Sequence, residues 1–514
     1  MNFKEIVFAV CLAVVVTRGV EYFLFSPQKN VATDTRISGE SFIVPQIRQH
    51  ELNKEIDFID VETVPHAIKT EVETDHAHLV FSTHGASLEQ LDFKRVNHGA
   101  QGDIITTIFP VSAVEKEKRC FLVGFDGATP YYYTLSSRVD RDDRTVLTYS
   151  ADFDGGRIEK TFTIFKLTYR IDMMIRLIPH KKSEHGLRPR IFFPAPIMPD
   201  IASYDVISGV MNDVDGSVVT AVRTALENKG WTAPAVFGAE NRYFIHTMVH
   251  DPNQFAQRGY YSLTGVHGLS AIVEGPDVEA ESAWTVSFYC GPKEHDAIMA
   301  VDSRLAQTLG TSGILAPISN WLLRLLIDLY RYFGSYGVAI IILTILMKIV
   351  LLPFSYKSAQ GLQKNAEVNH KLKYLQQKYK DNPERLAQER LELIQREGMP
   401  GIAGCLPLLL QLPIFVALSR VLSTSVEFYR APFALWSNLA APDPYYILPA
   451  LIVVMMMLQA MTAADPKQRT TMLIPAFIFG AFSISFSAGL CLYIAVSTFL
   501  GVVQTEIQKK WQAA

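Results

Sequence analysis

The sequence is short of catalytic signatures. It has no GxxxxGK[ST] phosphate loop, no GxSxG nucleophile elbow and no HExxH zinc motif. Those absences leave no visible ATPase, acyl-transfer or metalloprotease engine. Cysteine is scarce: five residues, none in a CxxC pair, so neither a zinc-ribbon nor a redox-pair reading has support. Charged residues make up 19% and the formal net charge is −3, so the whole chain has no bias toward nucleic acid. His246 and His250 in "HTMVH" stand four apart. No third ligand is in view, and they read as an incidental pair.

What the sequence has is hydrophobicity, unevenly spread. Residues 26–310 read as a soluble part, and residues 335–505 hold nearly all the long apolar runs. The N-terminus, "MNFKEIVFAVCLAVVVTRGVEYFLF", has a short apolar core from Ile6 to Val16 with no small-x-small cleavage site after it. It is read as an uncleaved anchor over residues 1–25, with a cleaved signal as the alternative. A polar linker is expected over 26–60. Over 61–310, short alternating runs such as "AHLVFSTHG" and "AWTVSFYCG", with glycine-bearing turns, predict a large antiparallel β-sandwich. Cys120 and Cys290 lie there. If this part is periplasmic, a disulfide and two free thiols are both open outcomes.

Residues 311–334 place Asn320, Arg324, Asp328 and Arg331 on one stripe, with Trp321, Leu322, Leu325, Leu326 and Leu329 filling the remainder. Two readings stand: an amphipathic helix in the membrane surface, or one packed on the sandwich. Five spans are then expected near 336–354, 403–424, 445–462, 471–487 and 489–505, within a core over 335–506. With the anchor this makes a polytopic α-helical protein of six spans. Between the first two core spans, residues 355–401 predict a helical hairpin. Asn382 is its expected cap, Pro383 its first turn, and Leu362, Leu372, Leu375, Leu386, Leu391 and Ile394 its seam.

Basic residues set the expected orientation. The hairpin carries nine, including Lys371, Lys373, Lys378 and Arg385, whereas loop 426–444 has only Arg430. Hairpin, both termini and the short tail 507–514 are therefore expected in the cytoplasm, and residues 26–334 in the periplasm.

One residue stands out inside "GVAIIILTILMKIVLLPF": Lys348. Eleven Val, Ile and Leu residues lie between Val338 and Leu352. At ~0.3–0.6 kcal/mol each they offset a central lysine costing ~2.5–3.5 kcal/mol. Insertion is thus permitted, but an ammonium facing lipid is not. One reading is a snorkelling lysine. The other is a polar groove, with Thr344 one turn away on the same face, Gln411 between Pro407 and Pro413, and hydroxyls such as Ser497 on the last spans. No intramembrane Asp or Glu is available to pair with Lys348, so such a groove suits an acidic group that comes and goes.

At this point the residues resemble a known family. "FYRAPFALWSNLAAPDPYYILP" (Phe428–Pro449), "GCLPLLLQLPIF" (Gly404–Phe415), "AADP" (Ala463–Pro466) and "SAGLCLYIAVS" (Ser487–Ser497) are similar in order and spacing to the YidC-type membrane protein insertases. "STHGASLEQ" (Ser82–Gln90), "NRYFIHTMV" and "FYCGP" extend the likeness into the soluble part. The resemblance implies a periplasmic β-supersandwich, a five-helix insertase core and a hydrophilic groove with one basic residue. That residue, usually arginine, falls on Lys348. Thr344, Gln411, Tyr493 and Ser497 then line the groove, and Lys371, Lys373, Lys378 and Arg385 offer the hairpin's contact with substrate or ribosome. Arg420 stands where the family more often has an aromatic, and no groove role is assigned to it. The implied task is insertion and folding of nascent inner-membrane proteins, alone or with the Sec translocon. Implied partners are nascent membrane proteins, the translocon, ribosomes and lipid. No cofactor, metal or enzyme chemistry is implied. The alternatives are a small-solute transporter or channel using Lys348 as an anion site, which predicts paired broken helices not seen in the sequence, and an anchored periplasmic binding module.

Overall fold

Alternation at every second residue marks strands such as Lys69–Glu73, Gly156–Phe165 and Arg170–Pro179. In the strand Gly156–Phe165, Ile158, Lys160, Phe162 and Ile164 are buried and the residues between them half-buried. The pleat sends these four to one face, so Lys160 is committed to the core by register alone. The structure is a computed structural model. It describes residues 56–59, 65–94, 104–111, 115–126, 128–180, 187–197, 207–213, 216–227, 229–264, 268–309, 316–380, 382–397, 402–461 and 466–513. The anchor expected over 1–25 and most of the linker expected over 26–60 lie outside the described residues. The chain forms two units, Met1–Gly310 with Thr424–Val426, and Thr311–Ser423 with Glu427–Ala514.

The first unit is built on β1 (Lys69–Glu73), β2 (Ala77–Ser82), β3 (Ser87–Phe93), β4 (Ile105–Ile108), β5 (Leu122–Gly124) and β6 (Thr134–Asp140). Next come β7 (Arg144–Phe153), β8 (Gly156–Phe165), β9 (Arg170–Pro179), β10 (Arg190–Pro194), β11 (Ser208–Asn212) and β12 (Val218–Val222). The last are β13 (Gly230–Thr232), β14 (Phe237–Glu240), β15 (Phe244–His250), β16 (Arg258–Thr264), β17 (Gly268–Glu274) and β18 (Ser282–Pro292). Helix α1 (His295–Val301) follows. The strands form a nine-stranded sheet in the order β12-β11-β14-β15-β18-β9-β8-β7-β6 and two smaller sheets, β1-β2-β3-β4 and β13-β16-β17-β10-β5. All pairings between these strands are antiparallel. Aromatic pairs join the layers. Phe81 of β2 meets Phe162 of β8 at 4.9 Å between ring centroids, Phe193 of β10 meets Phe288 of β18 at 5.2 Å, and Phe237 of β14 meets Tyr261 of β16 at 4.5 Å. Both small sheets therefore pack on the large one, giving the expected antiparallel sandwich. Each such pair contributes about 0.5–1.5 kcal/mol beyond its buried area.

Lys160 sits where the layers meet. Its Nζ donates to the carbonyl oxygens of Gly85 (2.7 Å), Ala86 (2.7 Å) and Phe121 (2.6 Å). Those three acceptors all have left-handed backbone, with φ of 68°, 39° and 65°. Two of them are non-glycine residues, each costing about 1–2 kcal/mol in that conformation. Burial pushes the lysine's pKa down, well below its ordinary value. Three carbonyls matched to three N–H donors favour the charged form against that desolvation.

His246 on β15 is fully buried. Its Nδ1–H donates to the carbonyl of Pro194 (3.0 Å) and its Nε2 accepts from the Thr107 hydroxyl (3.2 Å). A carbonyl can only accept, so the tautomer follows. His250 is exposed, beyond a register shift in the β15–β18 pairing, so the two histidines share no site. Among the described residues no group of ligands suits a metal ion. Burial lowers the His246 pKa from 6.5 to about 4. The unfolded chain takes up a proton near pH 6.5 and the folded chain does not until near pH 4, so stability falls as pH drops through that window. The expected loss is about 3 kcal/mol for this one group. Comparing unfolding of the parent and His246→Gln at pH 7 and pH 4.5 checks this, since the variant should show a shallower pH slope.

Cys120 and Cys290 are buried free thiols, and desolvation raises both pKa values. They are unreactive core residues, not a disulfide.

The second unit is helical: α2 (Ala316–Phe333), α3 (Tyr336–Lys378), α4 (Pro383–Glu397), α5 (Ile402–Thr424), α6 (Ile447–Met461), α7 (Pro466–Ser483) and α8 (Ala488–Ala513). Helix α2 buries Ser319, Leu322 and Leu326, an i, i+3, i+7 stripe. The Ser319 hydroxyl donates to the Ala417 carbonyl of α5 at 3.4 Å. Trp321 and Tyr332 are exposed.

The first core span is expected near 336–354, and the helix that holds it continues beyond that stretch into the hairpin residues. Helix α3 runs through Pro353 to Lys378. Proline removes one backbone hydrogen bond, and the helix continues past it through Phe354, Ser355 and Tyr356. Asn382 caps α4 by accepting the Arg385 N–H at 3.2 Å, with Pro383 as first residue. Leu391, expected in the hairpin seam, is exposed, whereas Leu372 is buried and Leu386 half-buried. Residues five apart point about 140° from one another on a helix, so Leu386 and Leu391 cannot share a seam. Among the described residues two helices are long and apolar enough to cross a membrane, Tyr336–Pro353 and Ala488–Gln508. Shorter apolar stretches are Gln411–Thr424, Ile447–Met461 and Leu473–Ser483.

Candidate functional site: a polar stripe among the core helices

Helix α3 has 43 residues and so is about 64 Å long, roughly twice the ~30 Å of a bilayer's hydrocarbon. Lys348 lies about 18 Å from its start and is half-buried. Thr344, one turn earlier, is buried, and its hydroxyl donates to the Ile340 carbonyl of its own helix at 2.6 Å. Its polarity is satisfied locally, so it adds packing beside Lys348 and no free hydroxyl.

Helix α8 supplies the stripe. Tyr493, Ser497 and Gly501 are spaced i, i+4, i+8, so they stack on one face over about 12 Å. Gln411 of α5 donates from Nε2 to Ser497 Oγ at 2.7 Å and to Tyr493 Oη at 3.3 Å. One amide thus ties α5 to two successive turns of α8. Tyr493 and Ser497 are themselves buried and Gln411 half-buried. Two turns along, a Cβ placed on Gly501 would lie 3.8 Å from Lys348 Nζ and 3.7 Å from Gln459 Nε2 of α6. Helices α3, α6 and α8 therefore bring an ammonium and an amide to one point. Among the described residues Lys348 Nζ makes no hydrogen bond or ion pair. The sequence reading missed Gln459 and Gly501. Gln459 had a signal, as the single amide in "VVMMMLQAM". Gly501 had one only as the next member of the 493, 497 series. Arg420 is half-buried on α5.

The end of the helices where α3 and α8 begin is closed by the segment 428–446. The Phe433 ring fills the space over Gly337, where a Cβ would approach Phe433 Cγ to 2.0 Å. Gly489 N–H donates to the Leu439 carbonyl (2.9 Å) and Ala488 N–H to that of Ala441 (2.7 Å). Asp443 accepts the N–H groups of Leu448 (2.7 Å) and Tyr445 (2.9 Å) at the start of α6. Burial opposes its charge, but these hydrogen bonds prevail and hold its pKa below the usual carboxylate value. On the hairpin, Lys371, Lys378 and Arg385 are exposed. The side chain of Lys373 lies outside the described residues.

Comparison with known proteins bears on the whole chain. The family model for the 60Kd inner membrane protein matches residues 328–514. The membrane protein insertase YidC of Campylobacter jejuni is 30% identical over 389 residues, 74% of this chain and 71% of that protein. The chain belongs to the YidC family of membrane protein insertases. The YidC of Geobacter metallireducens is 27% identical over 461 residues, covering 86% of each protein. A solved YidC insertase with its first transmembrane domain resolved aligns over 98% of this chain and 99% of its own, at 17% identity and a TM-score of 0.39. The YidC family is not a class of enzymes, and its family model is that of an inner-membrane protein.

Proposed function

We propose that this membrane protein insertase works through the polar stripe of α8 and the ammonium of Lys348. The carrying observation is the position of Lys348 Nζ, deep along α3 and against Gly501, with no acidic partner among the described residues. In this reading a hydrophobic segment of a nascent membrane protein enters beside α3, α6 and α8. Its polar flank is drawn partway across by Lys348, with Gln459, Gln411, Tyr493 and Ser497 offering further hydrogen bonds. The apolar segment then leaves into lipid, driven by about 25 cal/mol per Å² of apolar area removed from water. The membrane potential helps acidic flanks outward. The protein thereby lowers a desolvation barrier and forms no covalent bond. Closure of the far end by segment 428–446 keeps the stripe from becoming a through-pore.

The same proposal places six spans in the inner membrane, both termini and the 355–401 hairpin in the cytoplasm, and residues 26–334 in the periplasm. Lys371, Lys373, Lys378 and Arg385 on the hairpin would meet the substrate or the acidic surface of a ribosome, and the Sec translocon would be a partner for larger clients. Depleting the protein and following a short acidic-tailed membrane protein by protease protection tests the function. Loss of insertion is expected. Normal insertion with a lost solute flux would instead favour a transporter.

A further inference from the structure

Along the α8 stripe of Tyr493, Ser497, Gly501 and Thr505, only Gly501 has no side chain. Glycine inside a helix costs about 1 kcal/mol relative to alanine, and nothing in the backbone requires it, since Gly501 has no positive φ. Close helix packing does not require it either. At Gly480 a Cβ would approach Val453 Cγ2 to 2.1 Å, and at Gly337 it would run into Phe433. At Gly501 it would have, among the described residues, two neighbours within 4 Å, the side-chain nitrogens of Gln459 and Lys348, both at ordinary contact distance. The gap therefore opens on the two polar groups and not on a helix backbone.

We propose that Gly501 is a specificity-determining notch, a seat where a carboxylate on a client segment settles against α8 and reaches Lys348 Nζ, with the Gln459 amide as second donor. The inference rests on the proposed role of Lys348. An oxygen near the vacant Cβ position needs only about 1 Å of side-chain adjustment to come within hydrogen-bond distance of both nitrogens. Two separate donors then do what a guanidinium fork does alone. A methyl group fits there without a clash but already takes up part of the seat, and a larger branched side chain fills it.

The test uses the full-length protein in proteoliposomes of phosphatidylethanolamine and phosphatidylglycerol. Two clients are compared, identical single-span proteins whose translocated flank carries either two Asp or two Asn. Gly501→Leu is expected to lower the Asp-to-Asn insertion ratio about tenfold, and Gly501→Ala to lower it in the same direction by a smaller factor. An unchanged ratio in Gly501→Leu overturns the notch. Lys348→Gln separates the two ideas. If it leaves the ratio unchanged, the role of Lys348 itself fails. If it lowers the ratio while Gly501→Leu does not, only the notch fails. Should Gly501→Leu misfold, Gly501→Cys decides. Its thiol should prefer an anionic over a cationic methanethiosulfonate reagent by about tenfold, a preference lost on adding Lys348→Gln. No preference in the single variant overturns the proposal.

Discussion

Lys348→Glu is expected to lower insertion of acidic-flanked clients at least about tenfold, while Lys348→Arg keeps most of the activity. At an effective dielectric constant of 20, an ammonium and a carboxylate 4 Å apart attract by about 4 kcal/mol. Reversing the sign turns that attraction into repulsion, and about 1.4 kcal/mol of barrier is enough for a tenfold rate effect. Arginine preserves the charge, and the vacancy at Gly501 gives its wider head group room. Insertion measured for clients with acidic, neutral and basic flanks checks the sign. The loss should be greatest for acidic flanks and least for basic ones. Equal activity of the Glu and Arg variants on acidic clients would mean that Lys348 only snorkels to the headgroups.

The second large effect is expected in the sandwich. Lys160→Met keeps the length and most of the volume of the side chain but removes all three donors. The carbonyls of Gly85, Ala86 and Phe121 would then be buried without partners, at about 1–3 kcal/mol for each group that finds no substitute. The left-handed conformations of Ala86 and Phe121 would lose the contact that holds them. A destabilisation of about 3–5 kcal/mol is expected, the range for breaking a buried charged network. Hydrogen exchange on the full-length protein locates it. Protection at the 85–86 turn and at the start of β5 should fall on the order of a hundredfold or more, with little change in α3 or α8. Unchanged protection would mean that aromatic packing between the sheets holds the turns without the lysine.

These two lysines show what a sequence reveals and what it hides. Lys348 was legible because a charge inside an apolar run violates a local rule. Gln411, between two prolines, was legible for a related reason, and the helical spacing of Tyr493 and Ser497 then follows from their numbers. The β-sandwich was legible in runs such as 156–165, where period two persists for ten residues. Lys160 sits in that same run, in phase with Ile158, Phe162 and Ile164, so its inward register is legible while the groups that receive its charge are not. Its acceptors are 39 to 75 residues away in sequence, on turns of both smaller sheets, so nothing local marks them. Gly501 was hidden differently. A glycine in a membrane helix is common, and only the convergence of α3 and α6 on it gives the missing side chain a meaning. That one helix carries both the first core span and the start of the hairpin was not legible, because a proline lies between the two stretches.

The central claim is that clients pass against the face formed by Lys348, Gln459 and the α8 stripe. Its most direct test is a photo-crosslinker placed at Met347, Gln459 or Gly501 of the full-length protein, presented with ribosome-stalled nascent chains of increasing length. The account predicts adducts from these positions to the first hydrophobic segment and its acidic flank, appearing at intermediate lengths and disappearing once the segment reaches lipid. Adducts confined to the outward positions Phe477 and Ile478 of α7, with none from the Lys348 face at any length, would contradict it.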